Sequence, residues 1–291
     1  MTLQTSALPG NVAARIDFDE DVRLDRLSSS DKNSLRAAFA HHSVLLIRGS
    51  TLDSNTLLAL TRVLGEPEIH PVESIRLPGC PEVIEIVHTP ETIPDGSHPG
   101  GPDEIVGRLD WHADLMYLPS PSRGALLHAL EVPAKGGETA FIDTTLAFDA
   151  LDESLKRELV GRKAAYLFRG TLFRERSRAV DEERFSEVLH PLLHLVPDSG
   201  RCALNVSPAA VRIDGFEKAE SERLLRELHE HMTQERFVYV HPWQVGDLVI
   251  FNNMRSLHSA YGHERRYRRI LHRTTLKGEP LQAMTREMAL A

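Results

Sequence analysis

The sequence predicts a mainly β protein with helices, an α+β chain built on a double-sheet jelly roll with helical decoration. Three observations predict it. Short apolar runs of strand length recur from Ser43 to Leu276. Helical periodicity is confined to a few segments placed before and between those runs. No internal repeat, low-complexity tract or linker divides the 291 residues, so one domain over 1–291 is expected.

The elements follow in order. Ser30 is a candidate N-cap for a helix carrying Leu35, Ala38 and Phe39. Ser43-Val44-Leu45-Leu46-Ile47-Arg48 reads as a strand stopped by Gly49. Ser54 is a candidate N-cap for a second helix with Leu57, Leu58 and Leu60, ended by Gly65. Val83–Val87 is strand-like. The stretch Thr89–Leu109 has no periodicity and is rich in Pro and Gly, so a long loop is expected. It feeds directly into His112, which marks 89–109 as a candidate active-site loop.

Ala125–Val132 and Glu138–Ile142 read as strands separated by Pro133 and the Gly136-Gly137 turn. Thr144–Leu151 and Ser154–Leu159 carry helical pattern, and Gly170–Glu187 is a second long polar stretch. Leu192–Val196 and Cys202–Val206 are short strands. Lys218–Gln234 is the clearest helix, with Leu224, Leu225, Leu228 and Met232 on one stripe. Arg236–Val240, Asp247–Phe251 and Arg269–Leu276 close the chain as strands.

Composition narrows the function. The chain is 41% hydrophobic and 26% charged, ordinary for a soluble globular protein. A net charge of −8 argues against nucleic acid or an anionic membrane surface as partner. Cys80 and Cys202 have no zinc or iron–sulfur spacing, and two cysteines suit a reducing cytosol. No apolar run approaches the ~20 residues of a spanning helix, and Met1–Arg15 lacks the order of a signal peptide. A cytoplasmic enzyme is the expectation. Oligomeric state stays open, since symmetric homo-oligomers are common among soluble enzymes.

Trp111-His112-Ala113-Asp114 carries the chemistry. In an extended strand His112 and Asp114 project from one face. With the distant His258 they make two imidazoles and one carboxylate, a set that covers one face of Fe(II) and leaves open positions. Arg269, Leu271 and Arg273 alternate on one face of the last strand. If that face looks inward, an inward arginine pair requires an anionic partner, and a guanidinium fork matches a carboxylate. A solvated face bearing two arginines is the alternative.

The chain resembles the taurine dioxygenase (TauD/TfdA) family of Fe(II)- and 2-oxoglutarate-dependent dioxygenases. The resemblance is carried by Trp111-His112-Ala113-Asp114, by Pro133-Ala134-Lys135-Gly136-Gly137-Glu138-Thr139, by Gly246–Asn253 leading to His258, by Arg269–Leu276, and by Ile69-His70-Pro71-Val72. It implies a double-stranded β-helix, with His112, Asp114 and His258 holding the iron. It further implies that Thr139 and Arg269 receive 2-oxoglutarate, and that His70 and Arg273 grip the anionic end of the substrate. Fe(II), 2-oxoglutarate and O2 would then oxidise a small anionic molecule (a sulfonate, sulfate ester or carboxylate), giving succinate and CO2. Related halogenases lack a carboxylate at the position of Asp114, so its presence points to hydroxylation; desaturation or another oxidation of a natural-product carboxylate is the alternative with the same ligands. Arg108 stands four residues before His112, where the family's taurine enzyme has an asparagine near its substrate. An added cation there would favour a more anionic substrate, or one without an amine. A metallohydrolase would need His-Glu-x-x-His or a similar motif, and the sequence has none. A non-catalytic binding module would be expected to have lost a ligand or the co-substrate arginine.

Overall fold

A computed structural model of the chain describes residues 3–18, 24–70, 73–91, 103–167, 186–197, 199–285 and 288. In chain order the strands are β1 (Gln4–Ala7), β2 (Ala13–Asp17), β3 (Val44–Ile47), β4 (Pro67–Glu68), β5 (Arg76–Leu77), β6 (Cys80–His88), β7 (Ile105–His112), β8 (Gly124–Glu131) and β9 (Thr139–Asp143). They continue as β10 (Lys163–Tyr166), β11 (Val188–Pro191), β12 (Leu193–Leu195), β13 (Cys202–Leu204), β14 (Ala210–Ile213), β15 (Val238–His241), β16 (Leu248–Asn252), β17 (Ser256–Glu264) and β18 (Arg269–Leu276). The helices are α1 (Ser29–His41), α2 (Ser54–Leu64), α3 (Thr144–Asp149), α4 (Glu153–Leu159) and α5 (Lys218–Met232).

Two sheets build the centre. The larger runs β1-β2-β3-β16-β8-β18-β6-β5, with β4 also paired to β18; the smaller runs β15-β9-β17-β7. Pairing is antiparallel except between β2 and β3. Alternation along β16 shows how the layers stack. Leu248 and Ile250 face the helices with Leu35, Phe39, Leu57 and Leu60, whereas Val249 and Phe251 pack with Phe141, Leu127 and Leu271 between the sheets. A strand covered on both faces has no polar side, which is why Leu248–Phe251 reads as a continuous apolar run. The outer face of the smaller sheet, through Ile142 and Leu257, is covered by Phe148, Leu224 and Leu228.

Three local expectations are corrected. The cap of α1 is Ser28, not Ser30, because Asp31 lies three residues beyond it and closes a capping box with both reciprocal hydrogen bonds. The cap of α2 is Asp53, whose Oδ1 accepts the Thr56 N–H at 2.7 Å. The loop expected over 89–109 ends earlier, since β7 already begins at Ile105; residues 92–102 lie outside the described residues, as do 170–185 of the second polar stretch. Strand β17, which carries His258, had no counterpart in the apolar pattern. Its run Ser-Leu-His-Ser-Ala-Tyr-Gly-His-Glu is mostly polar or small, yet six of its nine residues are buried. Cys80 and Cys202 are both free thiols. No helix among the described residues is long and apolar enough to cross a membrane.

Candidate metal and co-substrate site

The inner face of the smaller sheet brings the sequence-predicted ligands together. His258 on β17 stands in register opposite His112 at the end of β7, and the ring centroids are 4.1 Å apart. The strand stops at His112, so Asp114 does not share its face by strand alternation. It lies in the following turn, where Leu115 takes a left-handed φ of 58°. That turn is pinned by a side chain: Asn253 Oδ1 accepts the Asp114 N–H at 2.8 Å, and Asn253 Nδ2 donates to the Asp114 carbonyl at 3.1 Å and the Ser122 carbonyl at 2.8 Å. The result is close convergence. One donor atom from each of His112, Asp114 and His258 lies within 4.8 Å of the others.

Orientation and charge suit a cation. A backbone carbonyl can only accept, so His112 Nδ1 donates to the Asp110 carbonyl at 2.7 Å, which leaves Nε2 as a lone pair. His112 Nε2 is 3.9 Å and His258 Nε2 3.8 Å from an Asp114 carboxylate oxygen. Both distances are under twice a metal–ligand bond of ~2.1 Å. Burial lowers the His258 pKa to about 3, so the imidazole is neutral. Burial alone would raise Asp114, but the Arg273 guanidinium paired with it overrides that and holds the carboxyl well below the usual range. The donor set therefore fits a hard or borderline divalent ion with open positions, Fe(II) among them.

The arginine face of β18 looks inward. Leu271, between the two arginines, belongs to the inter-sheet core, while Thr274 on the opposite face meets Thr61 of α2 at 2.7 Å. Arg269 is 6% exposed and its Nε has no hydrogen-bond partner among the described residues. Burial lowers its pKa to about 10, which keeps it charged at neutral pH. Thr139 is buried at the start of β9. Gly137 lets this corner close: at φ +79° a Cβ would stand 2.7 Å from Pro133 Cγ and 3.4 Å from Arg269 Cδ. Arg273 turns to the metal site, with Nη2 donating to Asp114 Oδ2 at 2.6 Å.

His70 is half-buried two residues beyond Glu68, which pairs with Thr275 near Arg273. Arg108 is not brought to the site. A bulge in β7 sets His112 opposite His258 but Leu109 opposite Ala260, inserting one residue between them. That reverses the alternation and puts Arg108 opposite Tyr261, which is 44% exposed. An exposed Arg108 places no added cation beside the substrate.

Four features escaped the sequence. Asn253 stood inside a recognised motif, but its grip on the Asp114 turn is a tertiary contact. The Arg273–Asp114 ion pair joins a residue read as a substrate anchor to a residue read as a metal ligand. Trp243 donates its indole N–H to Thr139 Oγ1 at 2.9 Å. Glu68 presents a buried Oε2 without a hydrogen-bond partner among the described residues, and burial raises its pKa against the pull of Arg273 and Lys277.

Comparison with known proteins identifies a family. Residues 4–275 match the family described as Taurine catabolism dioxygenase TauD, TfdA family. The (S)-phenoxypropionate/alpha-ketoglutarate-dioxygenase of Sphingobium herbicidovorans is 30% identical over 276 residues, covering 89% of this chain and 90% of that protein. The alpha-ketoglutarate-dependent 2,4-dichlorophenoxyacetate dioxygenase of a Burkholderia species is 31% identical over 264 residues, covering 87% of each. Among solved structures, AAD-2 in complex with Mn(II) and N-oxalylglycine superposes with a TM-score of 0.77 at 25% identity, covering 96% of this chain and 99% of that one. The chain belongs to the TauD/TfdA family of alpha-ketoglutarate (2-oxoglutarate)-dependent dioxygenases, oxidoreductases that use Fe(II), 2-oxoglutarate and O2.

Proposed function

We propose that His112, Asp114 and His258 hold Fe(II), that Thr139 and Arg269 receive the distal carboxylate of 2-oxoglutarate, and that Arg273 with His70 anchors the anionic end of a small organic substrate for hydroxylation. The observation that carries this reading is the 4.8 Å convergence of an ionised carboxylate and two imidazoles beside two inward arginines. When bound, the metal with 2-oxoglutarate and O2 supplies an oxidant, with succinate and CO2 as co-products.

The chain's own residues do the rest. His112 is held by the Asp110 carbonyl so that Nε2 faces the ion. Asn253 fixes the turn that delivers Asp114. Arg269, buried and without a carboxylate partner among the described residues, is a charge in need of an anion, and a bidentate carboxylate satisfies a guanidinium best. Phe141 and Phe251 of the inter-sheet core back the His258 ring, with centroids 6.0 and 4.8 Å from it.

The two sheets form a double-stranded β-helix, or jelly roll, as one catalytic domain over 1–291. Relatives at 30–31% identity are named for aryloxy carboxylates and one at 27% for sulfate esters, and the higher identity of the former favours a carboxylate. The net charge of −8 supports a small-molecule partner and not nucleic acid. Two free thiols support a reducing, cytoplasmic setting.

The test is succinate release with Fe(II), 2-oxoglutarate and a panel of aryloxyacetates, alkylsulfonates, alkyl sulfates and their neutral analogues. Stimulation by one or more anions, lost for the matching neutral amide or alcohol, is expected. Equal stimulation by neutral analogues would remove the anionic-substrate assignment.

A further inference from the structure

Trp243, on the segment between β15 and β16, touches both residues assigned to the co-substrate. Its indole Nε1 donates to Thr139 Oγ1 at 2.9 Å. The Arg269 guanidinium carbon stands 5.9 Å from its ring centroid, within range for a cation over an aromatic face.

Trp243 is itself held. His241 meets its ring edge-on, with centroids 4.6 Å apart at 88°, and His241 pairs in register with Thr139 across β15 and β9. His241 and Asp247 are both fully buried, and His241 Nε2 lies 3.0 Å from Asp247 Oδ2, close but out of line for a hydrogen bond. The Tyr239 hydroxyl lies 3.0 Å from His241 Nδ1. Asp247 also accepts from Arg48 Nη1 at 3.1 and 3.0 Å and from the Gln244 N–H at 2.9 Å. The segment carrying Trp243 is thus tied to a buried charge at its end.

The chemistry at Thr139 gives this arrangement a use. A hydroxyl has one proton and two lone pairs, and an indole N–H can only donate. Once Trp243 occupies a lone pair of Thr139 Oγ1, the hydroxyl proton must go elsewhere. An arriving carboxylate is acceptor-only and takes that proton while pairing with Arg269.

We propose that Trp243 is a positioning residue for 2-oxoglutarate: its N–H turns the Thr139 hydroxyl into a donor aimed at the distal carboxylate, and its ring orients Arg269 toward the same anion. The inference rests on the assignment of Thr139 and Arg269 to the co-substrate. The contact Asp247 makes with His241 sets the ring of Trp243 in turn.

The test is calorimetric titration of 2-oxoglutarate into Mn(II)-loaded protein, where no turnover occurs. Trp243→Phe is expected to weaken 2-oxoglutarate roughly tenfold, about the worth of one good hydrogen bond, with Mn(II) affinity unchanged. Thr139→Val should weaken it similarly, and the double variant should be no weaker than Thr139→Val alone, because Trp243 acts through the hydroxyl. Thr139→Ser should bind as wild type. A wild-type affinity in Trp243→Phe, or additive losses in the double variant, overturns the proposal while a weakened Arg269→Ala keeps the co-substrate assignment. Wild-type affinity in both Arg269→Ala and Thr139→Val overturns that assignment and the proposal together. If Trp243→Phe does not fold, Trp111→Phe leaves Trp243 as the single tryptophan of the two in the sequence. Its emission should then change on saturation with 2-oxoglutarate, and unchanged emission contradicts the proposal.

Discussion

Arg273 and Asp114 are joined by two contacts, Nη2 to Oδ2 at 2.6 Å and Nη1 to Oδ1 at 3.4 Å. On the proposed assignment one guanidinium serves both the substrate end and the metal end of the site. Arg273→Ala should therefore weaken substrate binding and also lower Mn(II) affinity roughly 10–100-fold, the usual effect of removing a ligand's outer partner. At saturating metal, 2-oxoglutarate affinity should stay near wild type. Equal losses for substrate and 2-oxoglutarate would contradict the assignment. Arg273→Lys keeps the charge without the fork and should fall between the two.

Asn253→Leu tests the turn. It leaves the Asp114 N–H and two carbonyls without their side-chain partners in a buried setting. A stability loss of about 1–3 kcal/mol is expected in chemical denaturation, together with weaker Mn(II) binding. Wild-type metal affinity would show that the turn is set without Asn253.

Gly137→Ala should cost stability and co-substrate affinity together. The backbone there is left-handed, and the added methyl would press on Pro133 and the Arg269 side chain. A loss of roughly 1 kcal/mol or more is expected from thermal unfolding. An unaffected melting temperature would contradict the close approach.

His194 predicts acid sensitivity. It is buried, donates Nε2 to the Met254 carbonyl at 2.7 Å, and burial lowers its pKa to about 4. The unfolded chain takes up a proton near pH 6.5 and the folded chain resists until about 4, so stability falls as pH drops through that window. The slope is on the order of 1 kcal/mol per pH unit. His194→Gln should flatten the slope of folding stability between pH 6.5 and 4.5, and an unchanged slope would assign the acid sensitivity elsewhere.

The sequence shows a strand where its two faces differ or where both are apolar, and a site where donors cluster along the chain. Asp247–Phe251 and Arg269–Leu276 were legible on those grounds. Strand β17 was not, because its buried positions hold serine, histidine and glycine. His258 was nonetheless found by motif, and His112 by its place beside Asp114. Arg108 was read from its place in the family's motif, and in the structure its side chain is exposed, opposite Tyr261 across the strand pair, a placement that depends on a bulge no periodicity records. Trp243 and Asn253 act through contacts with residues more than 100 positions away, which no local spacing encodes.

The most direct test of the metal centre is anaerobic. Adding Fe(II) and 2-oxoglutarate to the wild-type protein should produce the weak visible charge-transfer band of a chelated keto acid, and His112→Ala should abolish it. Absence of that band from folded, iron-loaded wild-type protein would contradict the assignment of His112, Asp114 and His258.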